Sequence, residues 1–175
     1  MKRPRLLLLL LLLLNIHLIA IGSPIQDAKS RANGFCKQLQ LIEKSVDADY
    51  ERIASFITDQ SSKESLNKVR TQVISNAGFY CDQWKEGKIT LEEFTEKETE
   101  ILQFSFDLEN ARKLIDAKEN KPNTKSPDLS IKPIADKLHI PLKQNVVTGQ
   151  SGAEDLIMTT VNRIVSKYAT TKPKE

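Results

Sequence analysis

Few side chains in this sequence can do chemistry. Cys36 and Cys81 are its two cysteines, and His139 is the one histidine beyond residue 22. One imidazole cannot build a multi-histidine metal site within a chain. His139 also stands in an irregular stretch between Pro133 and Pro141, with no nucleophile motif for it to serve. A surface or loop role is expected of it. Glycine-rich phosphate loops, Gly-x-Ser-x-Gly and, beyond residue 22, Asn-x-Ser/Thr sequons are all missing from the sequence. The two thiols form no Cys-x-x-Cys pair, so redox or metal work is not expected of them. Their placement points instead to a bridge. They lie at equal distances from a polar break, Thr58-Asp-Gln-Ser-Ser62, and an antiparallel helical hairpin turning there brings Cys36 and Cys81 level. Such a bridge closes a loop worth about 4 kcal/mol by the chain-entropy estimate.

The stretch from Asp82 to Glu93 resembles the calcium-binding loop of EF-hand proteins. Asp82, Gly87, Ile89 and Glu93 stand at its first, sixth, eighth and twelfth places. Trp84 at the third place has no oxygen to offer, and Glu86 at the fifth replaces a shorter ligand. A glycine helix stop followed by a threonine cap accounts for the same residues. No metal, cofactor or catalytic residue is therefore expected.

The elements that would position any site are helical. From Ile25 to Ile57 apolar residues recur at steps of three and four, a heptad-like, coiled-coil-type stripe on one long helix. Ser61-Ser-Lys-Glu64 reads as a capping box opening a second helix with Leu66, Val69, Val73, Ala77, Tyr80 and Trp84 inward, ended by Gly87. Thr90-Leu-Glu-Glu93 reads as another box, opening a third helix through Phe94, Ile101, Phe104, Leu108 and Ile115. Residues 120–150 form a proline-broken linker with helical turns at Pro133 to Leu138. A third box, Ser151-Gly-Ala-Glu154, opens an amphipathic helix ending near Ala169 before a frayed tail, 170–175. That last helix is expected to dock on the core. The fold class is all-α: an up-down bundle of three long helices at 23–119, two of them joined by the disulfide, with a linker and a C-terminal amphipathic helix. Lys and Glu outside the stripes are expected on solvated faces.

Met1-Lys-Arg-Pro-Arg5 followed by an unbroken run from Leu6 to Leu14 reads as a secretory signal, with cleavage after Gly22. The apolar run is too short for an uncleaved membrane anchor. Lys2, Arg3 and Arg5 supply the whole net charge of +3, so the remaining chain is balanced and no nucleic-acid partner is indicated.

The expected function is that of a secreted, non-enzymatic helical protein that binds an extracellular macromolecule through helix faces. The alternative is a carrier holding a fatty acid or similar apolar ligand inside the bundle. Tyr80, Trp84, Phe94 and Phe104 would line that cavity if they do not simply fill the core. Leu102 and Phe106 lie off the main stripe of the third helix. They either pack beneath the last helix or form an exposed patch for a partner.

Overall fold

A computed structural model describes residues 23–120, 129–144 and 152–169. The expected leader and tail, part of the linker and the Ser151 cap lie outside them. Five helices follow in order: α1 Ser23–Phe56, α2 Gln60–Lys85, α3 Leu91–Lys118, α4 Ile131–Lys137 and α5 Ala153–Tyr168.

The stripe of α1 turns inward as its spacing dictates, with Phe35, Ile42, Val46 and Ile53 wholly buried. The chain then turns back at Thr58. The cap of α2 is Asp59, whose carboxylate accepts the Ser62 amide at 2.7 Å. This corrects the box expected at Ser61. A carboxylate two residues earlier takes the free amide first, which puts Ser61 inside the helix and leaves Glu64 to accept from Gln60 at 2.9 Å. The register of the hairpin is uniform. Cys36 with Cys81, Asn33 with Trp84 and Asp47 with Arg70 are all symmetric about the point between Thr58 and Asp59. The two cysteines form a disulfide, their Cα atoms 5.6 Å apart.

Gly87 ends α2 at φ +69°, with its amide on the Trp84 carbonyl and the Lys88 amide on the Gln83 carbonyl. Thr90 and Glu93 make the expected reciprocal box. Parallel to α1 and antiparallel to α2, α3 is the hub of the bundle, packing against all four other helices. Its middle, from Ile101 to Leu108, is buried on every side.

That burial overturns the expectation that the off-stripe charged residues face solvent. Most of the buried polar groups of α3 instead fasten a neighbour. Arg112 donates to Asp49 of α1 at 2.7 Å, and Arg52 of α1 donates to Asp116 at 2.8 Å and to Glu119 at 2.7 Å. Glu109 accepts the Ser130 hydroxyl at 2.9 Å and the Ile131 amide at 3.0 Å, capping α4 from a neighbouring helix. Gln103 exchanges two hydrogen bonds with the backbone of Lys143, at 2.8 and 2.9 Å. Asp107 accepts from Lys167 and from the Tyr168 hydroxyl of α5, each at 2.9 Å. Burial pushes the Glu109 carboxyl up, but Lys113, the Ile131 amide and the Ser130 hydroxyl more than offset it and hold it below the ordinary range.

The short α4, with Pro133 tolerated in its first turn, packs on α1 and α3. It ends as α2 does, but with His139 in the left-handed place at φ +56°. The His139 amide meets the Asp136 carbonyl and the Ile140 amide the Ala135 carbonyl. Antiparallel to α3, α5 docks on α2 and α3. Its cap is Gly152, without a side-chain bond. The box expected at Ser151 falls on a residue outside those described, and Glu154, the second residue of α5, reaches Lys118 at the end of α3 at 2.9 Å.

Candidate binding surface

Where α2 gives way to α3, the Gly87 turn sets two helix faces side by side with a groove between them. The groove holds about 360 Å³ and is lined by Phe79, Tyr80 and Gln83 of α2, Lys88 and Ile89 of the turn, and Glu93, Glu96 and Lys97 of α3. Phe79 is the one large hydrophobic side chain that is exposed among the described residues, at 40%. Its ring stands edge-on to Tyr80, with centroids 5.5 Å apart. Tyr80 itself is buried, so it forms the floor and Phe79 a wall. The end of the hairpin is held firmly by the disulfide, by the Trp84 indole donating to Asn33 at 3.0 Å, and by the Thr90 box.

The rim is charged. Lys97 donates to Glu100 at 3.0 Å, and Lys88 pairs with Glu86 at 2.6 Å. Burial presses the Lys97 ammonium down, but Glu100, helped by Tyr80 and Glu96, more than offsets it and keeps the group above the ordinary lysine range. A lysine held so firmly protonated is no nucleophile. The groove has an apolar floor, a wall and charged edges, which suits binding.

The residues that resemble a calcium loop are engaged otherwise. Asp82 pairs with Lys85, Glu86 with Lys88, and Glu93 closes the cap on Thr90. Among the described residues no group of three or more His, Cys, Asp or Glu side chains is placed to hold a metal ion. His139 is exposed at the end of α4, away from the groove on another side of α3.

Of the four aromatics expected to line a cavity, Trp84 and Phe94 are in contact with each other. Phe94 sits between Phe35, centroids 5.8 Å apart, and Trp84, 5.3 Å apart. Phe104 packs edge-on to Tyr168 at 5.0 Å. Only Tyr80 of the four borders the groove. Leu102 is wholly buried and Phe106 is 7% exposed, so they form no exposed patch. Phe106 borders a second hollow with Lys132, Ile140 and Leu142, which shows that α4 and the segment after it cover this side rather than the last helix. The reason is the Gln103 clamp on Lys143, which draws that segment across α3.

Phe79 is the residue the sequence reading passed over. Its signal was present: an aromatic off the inward stripe of α2, beside Tyr80. No described helix is long and apolar enough to cross a membrane. Comparison with protein-family models, curated proteins and solved structures finds no match to this chain.

Proposed function

We propose that this is a secreted, non-enzymatic binding protein that takes another macromolecule on the helix faces meeting at the Phe79 groove. The observation that carries this reading is an exposed aromatic over an apolar floor, at the end of the hairpin stapled by the disulfide. Aromatic side chains are enriched at protein interfaces, and an apolar floor beside Phe79 gives a partner something to pack on. Secretion is supported by the leader sequence and by a disulfide of the kind that persists in oxidising compartments. Binding on the outside is favoured over carriage of a lipid inside because Phe94 and Phe104 pack ring against ring with their neighbours.

A photo-crosslinking phenylalanine analogue at position 79 tests this in the native secretion. A saturable adduct is expected, suppressed by excess unlabelled protein but not by excess Phe79→Asp. Adducts insensitive to competition would refute the site. Fatty acid extracted in stoichiometric amount from the native protein would favour the carrier instead.

A further inference from the structure

Ahead of the disulfide, the first turns of α1 are lightly held. Among the described side chains before Ala32 none is buried. These turns rest on the bundle through Arg31 donating to Thr95 at 3.1 Å, the Trp84 indole donating to Asn33 at 3.0 Å, and Phe35 edge-on to Phe94. Gly34 lies against the end of α4, where a Cβ would come within 3.2 Å of Leu138. Beyond Cys36 the same helix is fixed by its bridge to Cys81 and by the ties of Asp49 and Arg52 to α3. Glu98 lies under the lightly held part. The pairs Arg31–Thr95, Asp49–Arg112 and Arg52–Asp116 join α1 and α3 at an offset of 63 or 64 residues, which sets Glu98 level with Gly34 and Phe35. Its side chain is wholly covered, yet among the described residues neither carboxylate oxygen nor Arg31 Nε has a hydrogen-bond partner. A contact that covers a carboxylate without satisfying it favours the neutral acid.

We infer that Glu98 is a pH-sensitive latch: protonated, it lets the first turns of α1 close on α3, and ionised, it releases them while the disulfide holds the rest of the helix. Among the described residues Arg31 is the charged group that acts on Glu98, and its attraction does not outweigh burial, which raises the carboxyl to about 7. From α2 this layer receives Trp84, whose ring meets Phe94 one turn before Glu98, and from α4 it receives Leu138. Neither titrates. His139, next to Leu138, is exposed, and no described group of α5 acts on the carboxyl. The direction follows from linkage. With α1 lifted, the carboxyl meets water and returns to its ordinary range, so the open form releases a proton that the closed form keeps, and opening grows as pH rises. In a chain secreted as proposed above, the latch is closed in acidified compartments and loosened at neutral pH outside. It does not depend on whether the Phe79 groove binds.

Native-state hydrogen exchange of the full secreted protein tests this, with rates corrected for the intrinsic pH dependence of the amides. Amides of 28–35 should exchange through a local opening that low urea hardly affects, because it exposes little surface, whereas amides of 42–53 should need the urea-sensitive global unfolding. The local opening should grow roughly tenfold between about pH 6 and pH 8. Glu98→Gln should abolish that growth. Exchange of 28–35 only through global unfolding would overturn the latch, as would the same growth in parent and Glu98→Gln. A carbon-13 titration of the parent protein needs no variant and so decides the matter even where Glu98→Gln fails to fold. The Glu98 carboxyl should titrate well above the ordinary carboxylate range, and a midpoint within that range would overturn the inference.

Discussion

Changing Glu98 to glutamine is expected to remove a pH dependence built into the α1–α3 interface. Glu98 is 1% exposed, and neither of its carboxylate oxygens has a hydrogen-bond partner among the described residues. Arg31 Nε lies 3.3 Å from Oε2, close enough for attraction but not aligned to donate, while Arg31 Nη2 is spent on Thr95 at 3.1 Å. Burial raises the carboxyl from its ordinary 4.5 to about 7, with the charge of Arg31 and its proximity pulling the other way. The sign follows from linkage. Between these values the folded chain holds a proton that the unfolded chain has released, so stability is full below about pH 4.5 and is lost as pH rises through 7. At 1.36 kcal/mol for each tenfold change the loss is about 3 kcal/mol. Glutamine resembles the protonated acid and does not titrate. Urea midpoints of parent and Glu98→Gln, read by circular dichroism between about pH 4 and pH 8, should lie together at the acid end and diverge toward the alkaline end, with the variant the more stable. Arg31→Ala should push the titration higher. Parallel curves for parent and Glu98→Gln would refute the reasoning.

Four other variants test the fastenings. Cys36→Ser with Cys81→Ser should lower stability by about 4 kcal/mol, and thiol titration of the unreduced parent should find no free group. Asp107→Ala should cost about 2 kcal/mol by stranding Tyr168 and Gln103, and hydrogen exchange should show α5 losing protection ahead of α1. His139→Gly should stabilise by roughly 0.5–1 kcal/mol in a denaturant titration, since it relieves a left-handed residue, whereas Gly87→Ala should destabilise by about 1 kcal/mol.

The sequence by itself determined the local features of this protein. Spacing of three and four placed α1, α2 and α3, and the Gly87 stop and Thr90 box set the second turn. The symmetry of Cys36 and Cys81 about the first turn foretold their bridge, because helix rise is fixed and a short turn forces an antiparallel return. These are properties of neighbours along the chain. A competing neighbour overrode one such pattern. Ser61 has a glutamate three residues on, yet it lies inside α2. Asp59, two residues earlier, takes the free amide and displaces that pattern.

Only the tertiary structure made α3 a helix surrounded on every side, and so turned Gln103, Asp107, Glu109 and Arg112 from surface residues into clamps on α4, α5 and α1. A hint lay in the run from Ile101 to Leu108, where Leu102 and Phe106 stand apart from the stripe of Ile101, Phe104 and Leu108 and exceed what one core-facing stripe requires. The exposure of Phe79 was decided the same way. It lies off the inward stripe of α2 and no described neighbouring element buries it, whereas Tyr80 beside it is buried.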